Sequence, residues 1–548
     1  MNVGMRLSAV AAEMPDAMAV AVPGKRPATG VRPYRQVSFA QLEEDSNQLA
    51  AGFQAMGIPV GSRLVLAVPP SIEFVTLVFA MLKAGMVMVL VDPGMGRRNL
   101  LRCLEEVQPA GFVGIPLVQA VRSVFRRRFS GARYNVTVGR RWFWGGVTLK
   151  QLLRQTKRSF VPVKTGSEDP AAIIFTTGST GPPKGVLYQH RNFNNQVDQI
   201  RDFYGIEAGE IDLPGFPLFA LFNSVMGVST VIPDMDPTRP ADVDPRNITE
   251  PINQWEITQA FGSPALWNTV GQYCEQTDEK MPSLKRVLSA GAPVPEHVLR
   301  RLQQAIHPEG DIYTPYGATE ALPVASTSAT EVLQETIVRS RQGAGTCVGG
   351  RFPGITWRVI PIVDQPISEL ADVEPVPQGE IGELMVRGSV VTKEYVTRIE
   401  SNADHKVNDQ GETWHRMGDV GYLDTEDRFW FCGRKTHRVT TAHGVMFTVP
   451  CETIFNQHPR VYRSALVGLG PQGTQRPILI VELWPDQQCE DAQDRQQLIE
   501  ELKELAGCNP LTEPVQEVLI HESLPVDIRH NAKIFREQLA VWATGQGA

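Results

Sequence analysis

The sequence predicts an α/β protein with a large N-terminal part and a smaller C-terminal domain. Three observations carry that expectation. The chain has 548 residues, beyond the roughly 250–300 at which a single hydrophobic core stops growing. Strand-like and helix-like stretches alternate through the first 110 residues and again after residue 185, as in a layered, largely parallel sheet. After Gly433 the elements become shorter and more charged, over about 115 residues, an ordinary domain size.

Taken in order, Phe39 to Met56 carries apolar residues at helical spacing, and Arg63 to Val68 is a short apolar strand. Ile72 to Leu82 reads as a buried helix that turns at Ala84-Gly85 into a buried strand, Met86 to Val91. That region holds the most hydrophobic window of the chain, Phe74 to Val91. It also contains Thr76, Lys83 and Gly85 and falls short of the about 20 apolar residues a membrane helix needs, so no transmembrane segment is expected. Arg98 to Val107 is an amphipathic helix and Ala171 to Phe175 a buried strand. Arg191 to Tyr204 reads as a helix, Ile257 to Gly262 as a strand, and Ser263-Pro264 starts a helix toward Glu275. Leu284 to Ala290 is a strand ending at Gly291-Ala292-Pro293. Arg351 to Ile362 and Gly382 to Val391 alternate around Gly and Pro as β-hairpins do, whereas Glu400 to Gly411 is polar and reads as a loop. The C-terminal part has a strand at Ile478 to Leu483 and a helix at Asp491 to Leu505.

A hydrophobic content of 42% with 21% charged residues describes an ordinary globular chain, and a net charge of −7 argues against general nucleic-acid binding. The charge is uneven. No acidic residue lies between Glu106 and Glu168, and the stretch from Arg122 to Arg158 holds eleven lysines and arginines. Such a tract is either a solvated face or a docking surface for anions, a partner or a membrane. The seven cysteines are scattered without a C-x-x-C pair, which suits a reducing compartment and supplies no zinc or disulfide framework. Met1 to Met5 lack an Arg-rich start followed by a continuous apolar core, so no signal peptide is expected. The expected setting is cytoplasmic.

The chemistry concentrates in residues 176–185, Thr-Thr-Gly-Ser-Thr-Gly-Pro-Pro-Lys-Gly, directly after the Ala171–Phe175 strand. Backbone N–H groups without Cβ cover, hydroxyls at Thr176, Thr177, Ser179 and Thr180, the glycine Gly178 and the ammonium of Lys184 make donors suited to a polyphosphate. A Walker A loop is excluded, because Lys184 precedes Gly185 and two prolines forbid a helix start through the loop. Further segments follow in order: Tyr316-Gly317-Ala318-Thr319-Glu320 after a strand Asp311 to Thr314, Gly379 to Leu384, Trp414 to Gly421 with Asp419 in a tight turn, Gly433-Arg434-Lys435-Thr436, and Leu524 to Ile534. Each alone fits an ordinary turn or surface charge. Their order and spacing together do not.

From about residue 35 to 540 these motifs resemble the adenylate-forming superfamily of acyl-CoA synthetases, peptide-synthetase adenylation domains and luciferases. The resemblance implies a large N-terminal domain (1–432) of stacked α/β sheets with a β-barrel-like subdomain, and a small mobile α+β C-terminal lid (433–548). It implies ATP and Mg²⁺ as cofactors and conversion of a carboxylic acid to an acyl-adenylate. On that resemblance Thr176, Thr177, Gly178, Ser179, Thr180 and Lys184 cradle the triphosphate. Thr319 donates to the α-phosphate and Glu320 holds Mg²⁺. Tyr316 and Gly317 with Gly291 and Ala292 receive adenine, Asp419 accepts from the ribose hydroxyls, and Arg434 supports it. Lys533 bridges substrate carboxylate and α-phosphate, which with Thr177 and Glu320 makes the catalytic set, and Thr436 is the hinge.

Departures from the common pattern narrow the substrate. Phe216-Pro217-Leu218-Phe219 is followed by Ala220, Leu221 and Phe222, so the expected acyl gate (Phe219 to Phe222) lacks the histidine of many fatty-acid members. The last motif ends Ala532-Lys533 rather than Gly-Lys, and His437 to Pro450 is longer than usual where thioester-forming members line a pantetheine tunnel. Pro525-Val526-Asp527-Ile528-Arg529-His530-Asn531-Ala532-Lys533-Ile534 and the histidine-free gate resemble the β-lactone synthetases of long-chain olefin biosynthesis. That implies a long-chain 2-alkyl-3-hydroxy acid substrate, with a hydrolase-like decarboxylase and a reductase as pathway partners. A medium- or long-chain acyl-CoA synthetase is the alternative.

Overall fold

The computed structural model describes residues 1–155, 160–176, 181–216, 218–527 and 533–546. Two large sheets dominate. The first has seven strands in the order Val147–Thr148, Tyr134–Thr137, Gly111–Gly114, Arg63–Ala67, Val87–Leu90, Pro170–Phe175, Gly185–Gln189. All pair in parallel except the last, which runs back beside Pro170–Phe175 with Ile173 opposite Leu187 and Phe175 opposite Gly185. Pro170–Phe175 is therefore followed by an antiparallel strand, not by the helix that follows a P-loop.

The helix Ile72–Lys83 is buried at every residue but Glu73, with Ser71 Oγ accepting from Phe74 N at 3.1 Å as its N-cap. Its last residue, Lys83, is fully buried and reaches Glu43 Oε2 at 2.5 Å, Ser46 Oγ and Asn47 Oδ1. Partnered in this way, the charge can sit inside a core helix. Among the described residues no helix is long and apolar enough to cross a membrane.

The second sheet has fourteen strands. Its parallel half runs through Ser229–Val231, Ile211–Pro214, Gln259–Gly262, Arg286–Ser289 and Asp311–Ala318. Its antiparallel half continues through Ala321–Ser328, Thr346–Arg351, Arg428–Arg434, Glu412–Leu423, Gly382–Arg387 and Thr356–Ile360. A small C-terminal α+β domain follows, with the strands Val461–Leu469, Arg476–Leu483 and Glu517–Ile520, the helix Ala492–Gly507, and its own core of Leu466, Leu479, Leu498 and Leu502.

Three local expectations need correction. The strand expected to stop at Thr314 runs on to Ala318, so Tyr316 and Gly317 lie within it. Asp419 sits not in a tight turn but inside the strand Glu412–Leu423, opposite Arg434. The polar stretch 400–411 is not a loop: it forms the helix Ser401–His405 and the strand Lys406–Asp409, which turns through Gln410 (φ +49°) and Gly411 (φ +86°) to pair with Glu412–Leu423. Two successive positive φ values are the signature of a tight two-residue hairpin turn.

Candidate active site

The two sheets bring the expected nucleotide residues to one place. Cross-strand pairing sets Asp419 and Arg434 face to face, Oδ1 to Nη1 at 2.9 Å, and Arg434 also donates to the Met417 carbonyl at 2.9 Å. Tyr316 Oη donates to the other Asp419 oxygen at 2.5 Å. Burial, then the Asp419 charge, holds the Tyr316 phenol well above its ordinary range, so it stays a donor. Burial also pushes the Asp419 carboxyl up, against Arg434, Tyr316 and the charge of Lys533. Lys533, whose charge acts on this carboxylate from the C-terminal domain, accepts at its carbonyl from Asp527 N at 2.9 Å. At Gly317 a Cβ would stand 2.7 Å from the Ala321 carbonyl, and Gly291, with φ +101°, turns the chain out of Arg286–Ser289 toward Ala292.

At the phosphate end, Thr176 N donates to the Lys184 carbonyl at 3.0 Å and Lys184 N to Thr176 Oγ1 at 3.1 Å, closing the base of the hairpin loop. Thr177, Gly178, Ser179 and Thr180 lie outside the described residues. Lys184 Nζ sits 2.9 Å from His405 Nε2. Glu320 Oε1 accepts from Tyr395 Oη at 2.6 Å, and its backbone carbonyl accepts from Thr392 N and Oγ1. Lys406 Nζ donates to the Thr392 carbonyl at 2.6 Å and lies 5.6 Å from the Tyr395 ring. Behind them the His405 and His415 rings are 6.1 Å apart.

Burial dominates the protonation of this group. It brings Lys406 down to about 7, against the pull of Glu320, and His405 to about 4, with Lys184 adding to the shift. It lowers Lys184 below the usual lysine range, while Glu320 and Asp404 oppose. His405 is thus neutral at pH 7 and accepts from the Lys184 ammonium. His405, Lys406, His415 and Tyr395 escaped the sequence reading. The available signal was the Asp409-Gln410-Gly411-Glu412 hairpin turn between Val407 and Trp414.

Among the described residues there is no group of three His, Cys, Asp or Glu able to hold a metal. A single carboxylate, Glu320, beside a phosphate-type loop fits Mg²⁺, which keeps several waters and binds through one or two carboxylates plus substrate phosphates.

Toward the acyl side, the helix Phe219–Met226 carries Leu221 and Phe222; the side chains of Phe219 and Ala220 lie outside what is described. Phe222 is buried 6.4 Å from Phe193, which stacks on Tyr188 at 5.1 Å, and Tyr188 Oη donates to the Thr319 carbonyl at 2.6 Å. An aromatic line thus joins the segment expected at the α-phosphate to the gate. Tyr188 and Phe193 were also missed by the sequence reading. Thr436 is exposed in the single turn Lys435–His437. Lys435 before it reaches the buried Glu383 at 3.1 Å and Arg438 after it reaches Asp364 at 2.5 Å. The segment 437–450 contains the hairpin Val439–Thr441 with Gly444–Met446.

The chain belongs to the AMP-binding enzyme family, which its residues 7–396 match. Over all of its length it is 44% identical to an olefin beta-lactone synthetase of Xanthomonas campestris pv. campestris and 45% identical to one of Stenotrophomonas maltophilia, covering 98% of each. The fold is shared with the anthranilate CoA ligase AuaEII in complex with anthranoyl-AMP, at a TM-score of 0.80 and 18% identity over 100% of this chain and 98% of that one.

Proposed function

We propose that this enzyme is an AMP-forming ligase that adenylates a long-chain 2-alkyl-3-hydroxy fatty acid and closes it to a β-lactone. The observation that carries the reading is the full-length similarity to two olefin beta-lactone synthetases; the histidine-free gate agrees with it. In the first step a carboxylate oxygen attacks the α-phosphorus of ATP and pyrophosphate leaves. In the second, the 3-hydroxyl oxygen attacks the acyl carbon, the bond to AMP breaks, and the hydroxyl proton is released. The nucleophile is tethered, so its effective concentration is high and no second substrate is required.

Two anions meet in the first step, so cations and fixed donors are needed where charge develops on the phosphoryl oxygens. Lys533, with its charge felt at Asp419, is assigned to that meeting point. Asp419 and Tyr316, held by Arg434, take the ribose and adenine side with Gly291, Ala292 and Gly317. Thr176 to Thr180, Lys184 and Thr319 take the phosphates. His405 holds Lys184 in place through its neutral ring. Mg²⁺, held by Glu320, would supply neutralising charge to the phosphates. The C-terminal domain acts as a lid that turns at Thr436, between the anchored Lys435 and Arg438. A cytoplasmic setting is supported by the free cysteines. The product is a strained lactone, which a decarboxylating hydrolase-like enzyme would consume, and a 3-keto reductase would supply the hydroxyl.

Mass spectrometry of products from ATP and a synthetic 2-alkyl-3-hydroxy acid, with and without CoA, tests the reading. The expected products are AMP and a species one water lighter than the acid, without CoA. Rapid CoA-dependent thioester formation from a plain fatty acid would make the enzyme an acyl-CoA synthetase instead.

A further inference from the structure

Beside the strands Gly111–Gly114 and Tyr134–Thr137 lies a helix that turns three of its apolar residues to solvent. In Pro116–Val124 the inward face presents Gln119, fully buried, which donates to the carbonyls of Phe112 and Val136 at 3.0 Å each. Val118 packs beside it on Gly114. The outward stripe is Leu117, Val121 and Val124, at spacings of four and three residues and 68%, 38% and 75% exposed. A surface helix ordinarily does the reverse.

A second apolar group stands beside the first. A Cβ on Gly139 would meet the Pro116 ring at 3.6 Å, so the loop after Tyr134–Thr137 passes the start of this helix. That loop exposes Trp142 at 69% and Phe143 at 78%. Trp144 anchors both: it is buried, its Nε1 donates to Thr137 Oγ1 at 3.0 Å, Trp142 stacks on it at 5.9 Å and Phe143 meets its edge at 5.1 Å. Exposed apolar groups gathered on two neighbouring segments mark an interaction site.

Arginines flank the apolar stripe. Arg126 and Arg127 follow the helix and Arg140 precedes Trp142; all three are exposed and form no ion pair among the described residues. Arg128 reaches Glu105 at 3.3 Å, and no acidic residue occurs between Glu106 and Glu168. The stretch that carries the apolar groups is thus basic, on a chain of net charge −7.

We propose that this face docks the protein on an anionic lipid surface. Leucine, valine, tryptophan and phenylalanine on one side of a short helix and loop, with guanidinium groups around them, match the hydrocarbon boundary and the phosphate layer of such a membrane together. The charge complementarity selects anionic over zwitterionic lipid. The inference rests on surface chemistry alone and does not depend on which carboxylic acid is adenylated.

Co-sedimentation of the full chain with phosphatidylglycerol and with phosphatidylcholine vesicles tests it. Binding to phosphatidylglycerol is expected, with weakening as salt rises toward physiological strength. Arg126→Gln, Arg127→Gln and Arg140→Gln together should lower the partition by roughly tenfold or more, and Trp142→Ser with Phe143→Ser should lower it independently. ATP–pyrophosphate exchange on a dissolved acid should be unchanged in both variants. Should the aromatic variant unfold, the arginine variant decides, since those side chains have no partner among the described residues to lose. Equal binding to both lipids, or binding that survives the arginine variant, overturns the proposal. So does a failure to bind accompanied by salt-sensitive, arginine-dependent oligomers in light scattering, which would assign the face to a second copy of the chain.

Discussion

At the phosphate end of the proposed site, Lys184 meets His405 and Glu320 meets Tyr395 through short polar contacts, with the buried Lys406 over the Tyr395 ring. At the gate, Tyr188, Phe193 and Phe222 present rings in line, and Leu221 beside them adds only carbon. The first arrangement costs desolvation, as the lowering of Lys406 to about 7 shows, and is worth holding only where charge develops in a reaction. The second costs little and discriminates weakly, since each buried CH₂ contributes about 0.8 kcal/mol. Substitutions at the phosphate end should therefore change the rate of the chemical step, and those at the gate should change which chain is taken.

The sharpest test removes the cation proposed to join the two anions. Lys533→Ala should lose about 2.7–4 kcal/mol of transition-state stabilisation, a hundredfold or more in pyrophosphate release, while ATP still binds. Wild-type release by this variant would reject Lys533 as the catalytic cation. Glu320→Gln keeps the shape and removes a charge. Activity should fall by about a hundredfold and recover in part as Mg²⁺ is raised. Unchanged activity with unchanged metal dependence would move the metal ligand elsewhere.

The two ends also differed in how far the sequence revealed them. Lys184, Tyr316, Asp419 and Arg434 were legible because each lies in a short segment of unusual composition, and the order of those segments is informative. The groups around Lys184 and Glu320 were not. Lys406 and His405 sit among Asn, Asp, Lys and Gly, a composition that says turn, and become buried only because Lys406–Asp409 pairs with Glu412–Leu423. Asp419 was placed in a turn because Gly418 and Gly421 flank it. Pairing with Arg428–Arg434 overrides that local preference, with Gly418 at φ +67° and a register shift beside Val420 absorbing the strain. Of the helices and parallel strands read from the sequence, all but Asp311–Ala318 were placed to within about two residues, since apolar periodicity and a serine cap such as Ser263 act locally. Long-range antiparallel pairing leaves no such local trace.

At the gate, Leu221→Asn places an amide on a half-buried apolar position. KM for a long-chain acid should rise about tenfold, equivalent to 1.4 kcal/mol, with kcat and the KM of a short-chain acid unchanged. A fall in kcat for both acids would mean that the gate and the phosphate end are not separable, and the comparison would fail.

The smallest expected effect lies behind Lys184. Burial, with Lys184 beside it, holds His405 at about 4, below its ordinary 6.5. Between those values the unfolded chain carries the proton and the folded chain does not, so stability is complete above pH 6.5 and is lost as pH falls toward 4. Protonated His405 would also repel Lys184 rather than accept from it. His405→Gln keeps an acceptor oxygen for the ammonium and removes the titration. Urea midpoints at about pH 7 and about pH 5 should show the variant losing less stability than wild type, by on the order of 1 kcal/mol. His190 and His297, also held at about 4 by burial, retain their own share of the slope. The same variant should leave KM for ATP near wild type, whereas His405→Leu, which offers Lys184 no acceptor, should raise it. Identical pH slopes in wild type and His405→Gln would show that His405 does not carry this cost, and equal KM values in the glutamine and leucine variants would remove its positioning role.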